Sequence, residues 1–162
     1  LVRLAAEGGR AASVARDDNM VFVFNRTKQT FLAYRAKVAD SVVGRLVGLL
    51  GRRSLDCDGG LWIVPSSGIH TVGMLFTIDV VFLDRDLRVV ALSELVRPFS
   101  ITKLSWQAQS VLELPAHAIF RSQTEIGDQL VISADESDLL AEPDAIPDPQ
   151  RIEPLQKVAS SG

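Results

Sequence analysis

A chain of 162 residues, 47% apolar and 23% charged, has the length and composition of one ordinary globular domain. No run approaches the roughly 18 apolar residues of a membrane span, and the chain start is too charged for a secretory signal, so a soluble, cytoplasmic protein is expected. The net charge of −3 is uneven: residues 1–19 are neutral, residues 20–134 carry twelve Lys or Arg against ten acids, and residues 135–162 carry two against seven. With no basic run to concentrate phosphates, the central part disfavours nucleic acid as a partner. Cys57 is the single cysteine, so no internal disulfide can form, in keeping with a reducing compartment.

Residues 1–19, rich in Ala, Gly and Arg without sustained periodicity, are expected to be a non-native or disordered leader ahead of a natural start at Met20. Residues 21–25 read as a strand, 26–29 as a polar turn and 30–38 as a second strand, which together predict a hairpin. In the second strand Phe31, Ala33, Arg35 and Lys37 alternate with Leu32, Tyr34, Ala36 and Val38. Asp40 or Ser41 can cap a helix whose apolar stripe is Val42, Val43, Leu46, Val47, Leu49 and Leu50, with Gly51 as its stop. A turn over 56–60, a short strand over 60–64 ended by Pro65, and a Ser-Ser-Gly loop follow.

Residues 69–84, I-H-T-V-G-M-L-F-T-I-D-V-V-F-L-D, form the most apolar stretch, and the rest of the chain is organised around it. From 78 to 83 only Asp79 interrupts a β-branched and aromatic run, which predicts a strand buried on both faces. Asp79, Val81 and Leu83 then share one face, and Ile78, Val80 and Phe82 the other. The D-R-D at 84–86 predicts a tight turn that returns the chain antiparallel over 88–96. Residues 99–107 are a connection whose Trp106 is expected in the core. A strand over 110–114 stopped by Pro115, a short helix over 116–123 and a last strand over 129–133 complete a single compact domain, residues 20–134. Residues 135–162 hold four of the seven prolines and seven acids, too little apolar surface to offset ordering entropy, and are expected to be a disordered tail. The fold class predicted is α+β, mostly β: a small curled, antiparallel-rich sheet or barrel-like form with one or two helices.

Five fragments occur in a fixed order: G-L-L-G-R-R-S-L at 48–55, I-H-T-V-G-M at 69–74, I-D-V-V-F-L-D at 78–84, V-L-E-L-P-A at 111–116 and I-G-D at 126–128. This order resembles the domain-of-unknown-function 192 family over about residues 22–133. The resemblance implies a small, mostly β domain with a barrel-like sheet and one or two helices, and no established activity. Three positions depart from the pattern. Gly73 stands where an aromatic often precedes the motif methionine, and His117 where glycine commonly follows the Pro-Ala pair. Leu87 occupies a turn position that is often glycine, which argues against a tight bulge there.

Asp79 is the best polar candidate, since a carboxylate among buried apolar groups either finds donors or has its pKa raised. A structural role, as ion-pair partner or backbone acceptor, is favoured, with Arg52 and then Arg97 as its expected partners. Glu113 could join Asp79 as an acid and base pair at a common cleft, although pairing with an arginine at a sheet end is favoured. His70 and Met74 lack the ligand spacing of a zinc or copper site, so no metal is expected, and Met74 reads as core. Asp56 and Asp58 flank Cys57 and disfavour its thiolate. No cofactor fingerprint or activated serine occurs, so no cofactor is expected. The first reading is a non-catalytic binding module in which Arg52, His70, Thr71, Asp79 and Glu113 hold a small polar ligand or a partner peptide. A hydrolase-like enzyme using Asp79 with Glu113 or His70 is the second, and an accessory subunit docking by a sheet edge the third.

Overall fold

The computed structural model describes residues 19–41, 49–102 and 104–139. All but the last residue of the expected leader (1–18 of 1–19), the body of the helix expected after Ser41 (42–48) and most of the expected tail (140–162) lie outside the described residues.

The hairpin forms as β1 (Met20–Asn25) and β2 (Thr30–Ala39), in register from Met20–Lys37 to Asn25–Thr30. Register shifts on either side of Val23 break the simple alternation: Leu32 and Ala33 are both buried, and Tyr34 and Arg35 both exposed. The remaining strands are β3 (Gly59–Ile63), β4 (Ile78–Leu83), β5 (Val89–Val96), β6 (Ser110–Pro115) and β7 (Leu130–Ser133), with the short helix α1 (Ala118–Ser122) between β6 and β7. They make one seven-stranded sheet in the order β5-β4-β6-β3-β2-β1-β7. Only the β2–β3 pair is parallel. The two edge strands meet at their starts, where the Val89 N–H donates to the Asp128 carbonyl (2.9 Å) and the Leu130 N–H to the Leu87 carbonyl (3.0 Å). The sheet is thereby curled into a half-barrel. Among the described residues no helix is long and apolar enough to cross a membrane.

All six residues of β4 are buried, as its uninterrupted apolar run predicts, because the strand separates two cores. Val81 and Leu83 pack with Val23, Leu112, Leu114 and Ile119 on one side. Ile78, Val80 and Phe82 pack with Leu61, Ile63 and Val111 on the other. Each such side chain withdrawn from water contributes about 1.5–3 kcal/mol.

The tight turn predicted from D-R-D after β4 forms, with Leu87 in the place where glycine is common. The Asp84 carboxylate accepts from the N–H groups of Asp86 and Arg88 (both 2.9 Å), and Leu87 takes a left-handed φ of 60°. His117, the other departure at a glycine position, is likewise left-handed (φ 68°) and starts α1. These two hydrogen bonds offset a backbone strain of roughly 1 kcal/mol at Leu87.

The I-G-D motif is a structural corner. Gly127 supplies φ 96°, and the buried Asp128 carboxylate accepts from Asn25 Nδ2 and the Glu125 N–H (both 2.8 Å), which ties the first hairpin to the approach to β7. Beyond β7 a 3-10 turn, Glu136–Asp138, is capped by the Asp135 side chain, and Leu139 is buried.

Candidate functional site

Asp79 is fully buried (0% exposed), and both its oxygens are occupied by backbone donors. Oδ1 accepts from the Leu95 N–H and Oδ2 from the Ile119 N–H, each at 3.0 Å. Ile119 belongs to the first turn of α1, whose N–H groups have no partner within the helix. The carboxylate therefore fastens the end of β5 and the start of α1 to the central strand. Arg52 and Arg97, its expected partners, are exposed and form no ion pair with it among the described residues.

Glu113 sits across from Val80 on β4 and Leu61 on β3, whereas Asp79 sits across from Leu114. Cross-strand partners share a face, so the two carboxylates point to opposite sides of the sheet. The acid and base pair considered from the sequence is thus not assembled. Glu113 is 3% exposed, its Oε2 is buried without a hydrogen-bond partner, and burial pushes its carboxyl up to about 7. No arginine pairs with it among the described residues, so burial favours its protonated form.

Thr71 organises the two long connections, residues 64–77 and 97–109. Its hydroxyl donates to the Arg97 carbonyl (2.7 Å) and accepts from the Ser100 N–H (2.8 Å), while its own N–H donates to the Ser100 carbonyl (2.8 Å). One turn further, the Thr102 N–H donates to the Ile69 carbonyl and the Ile69 N–H to Thr102 Oγ1, both at 3.0 Å. His70 bridges Ile101 within this ribbon and is exposed. Met74 lies in the second core, as its residue type suggests. Gly73 has φ 83°, a conformation side chains rarely adopt, and its nearest neighbour on the Cβ side is the end of the exposed Leu50 side chain. Of the five predicted site residues, then, Thr71 is a buried hub, Arg52 and His70 are exposed, and Asp79 and Glu113 are separated by the sheet.

A feature that sequence reasoning missed lies beside β5. An open groove of about 570 Å³ has Phe82, Ala91 and Val96 in its lining, with Ile101 and Leu104 from the 97–109 connection. Ser93, Thr102 and Ser105 are its polar lining residues, the Thr102 hydroxyl being bonded to the Ile69 backbone. β5 is an edge strand, paired to β4 alone in the sheet. Ile101 is 80% exposed, and nearby in sequence Phe99 and Trp106 are 70% and 91% exposed. Trp106 is therefore a surface residue, not the core residue expected: Thr102 and Ala108 are the buried members of its segment. The available signal was four large apolar residues at 99, 101, 104 and 106, a spacing that fits neither a strand nor a helix face.

The profile of the family DUF192, described as an uncharacterized ACR, matches residues 23–132. A UPF0127 protein of Thermococcus sibiricus is 32% identical over 141 residues, covering 84% of this chain and 86% of that protein. Two solved structures share the architecture. One, a proposed transcription regulator from Sinorhizobium meliloti 1021, has a TM-score of 0.62 at 22% identity, covering 72% of this chain and 94% of its own. The other, a protein of unknown function from Novosphingobium aromaticivorans, has a TM-score of 0.61 at 19% identity, covering 69% and 83%. At those identities the likeness is one of fold.

Proposed function

The chain belongs to the DUF192 family, and from that premise we propose that it is a non-catalytic binding module whose groove beside β5 receives an extended partner peptide. The observation that carries this reading is the groove itself: an apolar floor with Ser93, Thr102 and Ser105 along it, beside a strand that past Val89 pairs with β4 alone in the sheet, and walled by a connection that Thr71 ties down. An edge strand supplies unpaired backbone groups, and apolar pockets beside it supply selectivity for alternate side chains. A peptide fits better than a small polar ligand, since the polar residues expected to hold such a ligand are not gathered in one cleft. Docking by a sheet edge, the accessory-subunit reading, is the same mode of contact on a larger partner.

Selection of a displayed library of unstructured peptides on the immobilised full chain tests the reading. Selected peptides should bind Ile101→Asp about tenfold or more weakly, in the range of an interface anchor, while the thermal transition of the variant is retained. Failure of any peptide to enrich, or affinities indifferent to Ile101→Asp, would remove it.

A further inference from the structure

We propose that the resting occupant of this groove is the chain's own C-terminal segment, residues 140–162, which thereby competes with the partner peptide; the inference rests on the peptide-binding reading above. The chemistry of that segment matches the groove in three respects. It contains Pro143, Pro147, Pro149 and Pro154, interspersed with Ile146, Ile152 and Leu155. Proline fixes φ near −65° (roughly), so such a sequence loses little entropy on docking as an extended chain, and exposed aromatic rings are the surface that proline rings stack on. Phe99 and Trp106 present such rings on the connection that lines the groove.

Charge agrees. Residues 140–162 hold Glu142, Asp144, Asp148 and Glu153 against Arg151 and Lys157. Residues 97–109, the connection that supplies part of the lining, hold Arg97 and Lys103 and no acid. Glu94 is the one acid of β5, so the two elements beside the groove carry two basic groups against one acid, none of them in its lining. Complementary charge of this kind fixes register and speeds encounter.

Reach is sufficient from any starting direction. Leu139 is buried (1% exposed), so the segment departs from an anchored point. The 23 residues that follow span up to roughly 75 Å when extended, about twice the diameter of roughly 35 Å of a domain this size.

The test uses the full chain with photoreactive benzoylphenylalanine in place of Ile101, which is 80% exposed. After irradiation and digestion, the principal crosslink should join position 101 to residues 140–162, and an excess of synthetic peptide of that sequence should reduce it several-fold. Mixing isotopically heavy and light chains should yield crosslinks within one chain. A crosslink to another segment, or one bridging heavy and light copies, overturns the proposal. So does flotation of the full chain on phosphatidylglycerol-containing vesicles with residues 140–162 uncrosslinked, which would assign the exposed apolar residues to a lipid surface. Library peptides that bind at Ile101 while residues 140–162 do not crosslink remove this inference and leave the peptide-binding reading intact.

Discussion

Asp79 and Glu113 lie on neighbouring strands and face opposite sides of the sheet, because Asp79 is paired with Leu114 and Glu113 with Val80. Two carboxylates are thus buried in one small domain by two different physical solutions. Asp79 stays among polar donors, with a backbone N–H on each oxygen. Glu113 has no such donor, and burial favours its protonated form, its carboxyl pushed up to about 7. The motifs I-D-V-V-F-L-D and V-L-E-L-P-A thus each place one buried carboxyl group in the sheet.

For Asp79, replacement by asparagine keeps the shape and removes one acceptor. Either the Leu95 or the Ile119 N–H then faces an amide NH2 group in a site without water access. Asp79→Asn should lower stability by about 3 kcal/mol, the sum of a charge-assisted hydrogen bond and a stranded buried donor. Urea denaturation with an unchanged slope would report it. A loss below ~1 kcal/mol would show that these two amides do not depend on the carboxylate.

The Glu113 side chain makes stability depend on pH in a stated direction. Its carboxyl moves from an ordinary 4.5 to about 7 in the folded protein, so between those values the folded state keeps a proton that the unfolded state releases. Its contribution is therefore fully present below the lower value and is lost as pH rises through the upper one. Glu113→Gln should abolish that loss and, by about pH 8, be the more stable protein by on the order of 3 kcal/mol. Chemical denaturation of both proteins near pH 4 and near pH 8 reads the difference. Equal differences at the two ends would count against a proton held by Glu113.

Much of the fold was legible because its signals are local. β4 announces itself by an apolar run, and the division of its side chains between two cores follows from the pleat alone. The opposition of Asp79 and Glu113 was not legible, because it depends on the register between two strands more than thirty residues apart. A slip of one residue would have placed both carboxylates on the same face. Thr71 reads in sequence as a polar neighbour of His70, and only the approach of the second connection makes it a hub. Trp106 misled for a related reason. Hydrophobicity argues for burial, yet the anchoring of its segment is supplied by Thr102 and Ala108, leaving the indole in solvent.

That exposure has a measurable consequence. Trp106→Ser should change stability by no more than about 0.5 kcal/mol, the usual range for a surface position away from caps and buried networks. Were the indole packed in a core, its removal would cost about 3–5 kcal/mol. Thermal melting separates the two. In the same proteins, the fluorescence lost should be that of Trp106 alone, while that of the partly buried Trp62 remains.

The Thr71 hydroxyl is the smallest group on which the groove depends. Thr71→Val preserves volume and β-branching but removes the hydrogen bond to the Arg97 carbonyl and the acceptor for the Ser100 N–H. Because Thr71 is fully buried, the orphaned groups would be cut off from water unless the ribbon opens, and the cost should be about 2 kcal/mol. The backbone bonds from the Thr71 N–H to Ser100 and from the Phe99 N–H to Thr71 remain, so the two connections should loosen without unfolding the sheet. Amide hydrogen exchange should therefore accelerate at Thr71, Phe99, Ser100 and Thr102 and stay unchanged in β4 and β6. A peptide that needs the groove should bind the variant more weakly although no residue lining it has been altered. Uniform acceleration across the sheet would instead mean that Thr71 supports the whole domain, and unchanged exchange at Ser100 would mean that its amide does not rely on the hydroxyl.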